Sequence, residues 1–167
     1  MAKMVFLIIA SALLMASMTM GIAGASNDEV IHVGGKVLCQ DCTQGWNEWL
    51  NGAKPIKGSR VSITCFDRSR VVYYGSDETD ETGEYEITLN KYNNGKKLNP
   101  KDCFVRLVSS PDPVCNIATN FGGGQKGVIL DRPTTVYRDI TKYLLGSFYY
   151  TTPMCDEPDT SEPETKY

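Results

Sequence analysis

A chain of 167 residues, 41% of them apolar, is long enough for one domain with a core of its own. Its 20 acidic and 17 basic side chains leave a net charge of −3, and no long basic stretch occurs. This balance argues against nucleic acid or an anionic membrane as partner.

The chain opens with Met1-Ala2-Lys3 and then an uncharged apolar run from Met4 to Ile22. Ala23-Gly24-Ala25 closes that run with small residues, so residues 1–25 read as a signal peptide cut before Ser26. No later stretch reaches the ~20 consecutive apolar residues that a helical membrane span needs. The mature chain is therefore expected outside the cell. Its six cysteines, Cys39, Cys42, Cys65, Cys103, Cys115 and Cys155, then read as a disulfide framework rather than as free thiols.

Short alternating runs separated by turn residues dominate the rest, which is the all-β pattern. Val30–Leu38 is the first expected strand, with Gly34-Gly35 read as a bulge or bend. Between residues 60 and 66, Val61, Ile63 and Cys65 share one face, with Ser62 and Thr64 on the other. Val71–Tyr74 is a short β-branched and aromatic run. In the next strand Tyr85, Ile87 and Leu89 point inward while Glu84, Glu86 and Thr88 point outward. Cys103, Val105 and Leu107 share a face, and residues 126–130 and 148–152 complete about seven strands. Thr135–Leu145 reads as one helical turn or a long loop. The expected fold is an all-β, disulfide-stabilised sandwich or flattened barrel over residues 26–155. Residues 156–167 form an acidic, proline-containing tail expected to be disordered.

Cys65 and Cys103 both fall on the inward face of their strands, so the two are well placed to bridge. Cys39-Gln40-Asp41-Cys42 is a C-x-x-C pair, but no second pair accompanies it and no βαβ pattern surrounds it. Two halves of separate disulfides is the reading adopted. His32 is the only histidine, and no Gly-x-Ser-x-Gly elbow is present. The acidic run Asp77–Gly83 lacks the alternate spacing of a calcium loop. Gly122–Gly127 lacks the Lys-Ser/Thr ending of a phosphate loop. No catalytic constellation, metal set or cofactor motif remains. Trp46 and Trp49, three apart in a polar segment, and Tyr92 are the candidates for a sugar-stacking platform. No Asn-x-Ser/Thr sequon occurs after the leader, so no N-glycan is expected.

Several blocks resemble, in order, the pollen Ole e I allergen and extensin family of secreted plant proteins. They are Val33–Cys42, Pro55–Val61 with Cys65, Thr82–Tyr85, Cys103–Leu107 with Ser110-Pro111 and Cys115, and Phe148-Tyr149-Tyr150 before Cys155. The resemblance implies a disulfide-pinned β-barrel or sandwich with the pairs Cys39–Cys115, Cys42–Cys155 and Cys65–Cys103. It also implies a protein of the extracellular space or cell wall without assigned catalytic residues. The expectation is a secreted, monomeric, non-enzymatic protein without a cofactor, binding a wall polysaccharide. The alternatives are a ligand for a cell-surface receptor, a carboxylate-based carbohydrate hydrolase, and a carrier of an apolar ligand in a barrel lumen.

Overall fold

The computed structural model describes residues 29–40 and 52–153. The leader, the Trp46/Trp49 segment, Cys42 and the tail from residue 154, including Cys155, lie outside the described residues. In chain order the strands are β1 (Val30–Gln40), β2 (Lys54–Pro55), β3 (Arg60–Asp67), β4 (Arg70–Glu78), β5 (Glu84–Asn90), β6 (Tyr92–Asn93) and β7 (Lys96–Lys97). They continue with β8 (Cys103–Ser109), β9 (Ile117–Ala118), β10 (Val128–Ile129), β11 (Thr135–Tyr137), β12 (Ile140–Leu144) and β13 (Phe148–Thr151). Two single 3₁₀ turns, Pro100–Asp102 and Phe121–Gly123, lie between the strands. The all-β reading is borne out.

Two sheets make the sandwich. The larger is built on β1, the longest strand, which alternates inward apolar residues Ile31, Val33 and Val37. Along one side β1 pairs antiparallel with β5 and then β2. Along the other it pairs parallel with β12 over Val30–Gly34, then with β13 over Val37–Gln40. β11 and β9 complete this sheet at its two edges. The second sheet runs β10-β8-β3-β4, all antiparallel. β6 and β7 form a separate small hairpin.

The inward faces of both sheets meet in one core. Val61 and Ile63 of β3, Val105 and Leu107 of β8, and Ile87 and Leu89 of β5 are all buried there. Each such side chain contributes roughly 1.5–3 kcal/mol of burial. Tyr85 stacks on Phe148 with ring centroids 6.2 Å apart. Tyr85, Ile87, Leu107, Cys65 and Cys103 belong to one contiguous packed cluster, which leaves the lumen-carrier alternative without support. Ser62 points away from this core and is nevertheless buried, between Ser76 and Arg106 on the neighbouring strands.

Cys65 and Cys103 stand directly opposite on β3 and β8 and are bridged. Cys39 at the end of β1 is bridged to Cys115, which ties the large sheet to the loop after β8. These links span 38 and 76 residues. In the chain-entropy account each contributes roughly 4 kcal/mol. The implied third pair, Cys42–Cys155, lies outside the described residues.

Two local expectations are corrected. Thr135–Leu145 is neither a helical turn nor a loop. It holds the β11–β12 hairpin, turned at Arg138 with a left-handed φ of 48°. The hairpin lies at the sheet edge, where both faces are partly open, so its apolar residues need not alternate strictly. Gly34-Gly35 does not bulge either, because the β1–β5 register runs unbroken through both. These glycines sit where β1 changes partner from β12 to β13. Gly35 has no room for a side chain: a Cβ there would lie 2.6 Å from the Tyr85 hydroxyl oxygen.

Candidate functional site

The outward face of the large sheet carries the principal groove. Residues paired across neighbouring strands share a face, so the register defines it row by row. One row reads Thr135, Lys142, His32, Thr88. The next toward β13 reads Leu144, Gly34, Glu86, and the last pairs Lys36 with Glu84. On the other side of the His32 row the face continues as Tyr137, Ile140, Val30, Asn90. Gly34 lacks a side chain between His32 and Lys36, which opens a trough in the floor. The groove encloses about 790 Å³ and is overhung by Asp77 and Glu78 of β4.

Its polar groups are held in place by one another. The His32 ring, through Nδ1, lies 2.9 Å from Glu86 Oε1 and 3.1 Å from Thr88 Oγ1. Lys36 Nζ is 3.0 Å from Glu84 Oε1. The Glu86 backbone N–H donates to Asp77 Oδ2 at 3.0 Å, stitching the edge of the second sheet to the rim. Asp80 Oδ1 accepts from the Thr82 hydroxyl, the Thr82 N–H and the Glu84 N–H at 2.8–2.9 Å. The Thr82 hydroxyl, ahead of those amides, holds the Asp80 carboxyl below the usual range. Beneath the floor, the Tyr85 hydroxyl is buried and has no hydrogen-bond partner among the described residues. Burial pushes that phenol up.

Cations, carboxylates and an imidazole line an open trough. Leu144, 70% exposed, lines it, whereas Tyr137, 61% exposed, and Ile140 lie two rows away on the same face, outside the groove lining. A hydrolase would need one carboxyl held protonated as general acid, its pKa raised. Asp80 is shifted the opposite way, and its oxygen is committed to the turn. Among the described residues no group of three His, Cys, Asp or Glu side chains is placed to hold a metal ion.

Trp46 and Trp49 lie outside the described residues. Tyr92 is half-buried on β6 opposite Lys97 and does not line the groove. Tyr137, Lys142 and Leu144 were missed because their segment read as a loop. The β-branched and aromatic content of Val136, Tyr137, Ile140, Thr141 and Tyr143 was the available signal.

No protein-family profile matches the chain. Comparison with curated proteins finds similar chains, three plant proteins among them. The pistil-specific extensin-like protein of Nicotiana tabacum is 35% identical over 101 residues, 59% of this chain and 22% of that protein. Proline-rich protein 1 of Arabidopsis thaliana is 31% identical over 128 residues, 71% of this chain and 33% of that protein. The major pollen allergen Pla l 1 of Plantago lanceolata is 30% identical over 92 residues, 54% of this chain and 64% of the allergen. The match thus spans less than two thirds of each relative's own length. The crystal structure of Pla l 1 superposes with a TM-score of 0.52 at 24% identity, covering 75% of this chain and 99% of the allergen. The structural likeness shows that the chain shares its fold with that allergen. The chain is a relative of the pollen-allergen and extensin-like proteins of plants, and the resemblance to the Ole e I family is borne out.

Proposed function

We propose that the protein is a secreted, non-enzymatic component of the plant cell wall or extracellular space that binds a wall polysaccharide. The site is the outward face of the large sheet, used in the growth of pollen tubes or other tissues. The observation that carries the reading is the groove of about 790 Å³ floored by Gly34. Its polar groups His32, Lys36, Lys142 and Glu86 can meet sugar hydroxyls. The exposed Tyr137 and Leu144 can meet the apolar C–H face of a sugar ring. The name of the tobacco relative, an extensin-like protein, supports a wall setting.

The test is binding of the oxidised protein, residues 26–167, to an array of plant wall glycans. The Tyr137→Ala and Lys142→Ala variants should lose the signal, while a Trp46→Ala, Trp49→Ala double variant should keep it. Loss in the tryptophan variant alone would move the site to the 41–51 segment. Absence of any glycan signal would favour the receptor-ligand alternative. The exposed apolar hairpin of Val136, Tyr137, Ile140 and Leu144 also suits that alternative.

A further inference from the structure

The charges of the sheet groove are unequal in number, and what each already holds narrows the ligand the groove can take. Among the described residues five carboxylates line it, those of Asp77, Glu78, Asp80, Glu84 and Glu86. Against them stand two ammonium groups, Lys36 and Lys142, and the His32 imidazole. Glu86 lies opposite Gly34 in the register and Leu144 lies opposite Gly34 on the other side, so a chain laid along the trough passes between Glu86 and Leu144. Glu84 lies opposite Lys36 in the next row of the same face.

All five carboxylates are engaged. Glu84 pairs with Lys36, Glu86 with the His32 ring and Glu78 with Arg60. Asp77 accepts from the Glu86 N–H, and Asp80 accepts from the Thr82 hydroxyl and two backbone amides. The Glu84 and Glu86 side chains are nonetheless 55% and 60% exposed. An ionised carboxyl has acceptor sites for several donors, so each keeps some open after its one ion pair. Lys142 forms no ion pair among the described residues.

One unpaired ammonium group among five carboxylates cannot seat a run of repeated anions. Every further anion in the trough would meet like charge at Glu86 and Glu84, and like charges brought together disfavour a partner. A uronate carboxyl also only accepts hydrogen bonds, as these glutamates do. A sugar hydroxyl both donates and accepts, so it can give its proton to Glu84 or Glu86 and take one from Lys142. A cationic chain would have to displace Lys36 and Arg60 from the carboxylates they already hold.

We infer that Glu84 and Glu86 restrict the groove to uncharged polysaccharide and turn away polymers of uronic acids. This selectivity rests on the groove being the polysaccharide site, and adds to that reading the class of wall polymer it accepts.

Affinity gel electrophoresis of the full oxidised protein tests it, with xyloglucan, arabinan and galactan as uncharged probes and polygalacturonate as the charged one. At least one uncharged polymer should retard the protein more strongly than polygalacturonate does. Added salt should leave that retardation in place, because no charge pair with the ligand is being screened. A Glu84→Gln, Glu86→Gln double variant keeps the size of both side chains and removes their charge. It should fold, since the two exposed ion pairs it loses are each worth little, and a thermal melt checks this. Its preference for the uncharged polymer over polygalacturonate should fall about two- to fivefold for each charge removed. Retardation of the wild type by polygalacturonate as strong as by the uncharged polymers overturns the selectivity and leaves the groove reading standing. A folded double variant with the wild-type preference does the same. Retardation by none of the polymers removes the groove reading, and the selectivity with it.

Discussion

Replacing Gly35 by alanine should destabilise the domain by a predictable amount. The added methyl would meet Tyr85 at 2.6 Å from its hydroxyl oxygen, 2.9 Å from Cζ and 3.0 Å from Cε1. Real side chains essentially never approach so closely, so something must move. The tyrosine ring cannot swing away freely, because it is 3% exposed and stacked on Phe148. Overpacking of this kind costs about 1–3 kcal/mol. Alanine recovers about 0.5–1 kcal/mol through the less flexible unfolded chain, where it suits strand geometry better than glycine. Taken at the middle of both ranges, the net expectation is a loss of about 1 kcal/mol. Tyr85→Phe alone should be neutral or stabilising by up to ~1 kcal/mol, because the hydroxyl it removes is buried with no partner among the described residues. In the double variant the closest contact is gone but both ring carbons remain, so phenylalanine should restore only part of the loss. Urea unfolding of the four oxidised proteins closes the cycle, with a coupling of about 0.5–1 kcal/mol expected. A Gly35→Ala variant as stable as the wild type would refute the steric argument, and with it the reading of this glycine as a seat for the ring.

Other consequences are accessible to the same assays. The Cys65→Ala, Cys103→Ala pair should lose roughly 3–5 kcal/mol by urea titration, the loop-closure contribution of that bridge. Thr79→Val should cost about 1–3 kcal/mol. It removes the buried hydroxyl that donates to the Ile56 carbonyl at 2.5 Å and accepts from the Ser59 N–H at 2.8 Å. Asp80 and Asp112 have carboxyls held below the usual range. The Thr82 hydroxyl is the main cause for Asp80, and the Cys115 and Val114 amides are the cause for Asp112. A lowered native pKa gives stability that is fully present above the ordinary aspartate value of about 3.9. That stability fades as pH falls through the native values. Thermal melts between pH 6 and pH 2 should therefore show a steepening loss below about pH 4. An Asp80→Asn, Asp112→Asn double variant should flatten it, and a curve identical to the wild type would contradict the assignment.

Which parts of this fold could be read from the chain follows from where each strand sits. β5 has one face on the core and one in water, so Tyr85, Ile87 and Leu89 alternate with Glu84, Glu86 and Thr88 as expected. β8 reads almost as cleanly through Cys103, Val105 and Leu107. β13 is buried on both faces, and its four residues show no alternation. Strands of two residues, such as β2 and β9, leave no period to detect. The β11–β12 hairpin failed for the opposite reason to β13. At the open sheet edge Val136, Tyr137, Ile140 and Leu144 are all exposed, so no single face stands out.

Local pattern was enough to determine the all-β class, the inward phase of Cys65 and Cys103 and the kinship of the chain, because each depends on residues near one another in sequence. The candidate site does not. The sheet groove joins His32, Glu86 and Lys142 through the pairing of β1 with both β5 and β12. Such neighbours are chosen by strand register and by which sheet edges face each other. Those choices are settled by burying the core, and only the tertiary structure shows which way they fell.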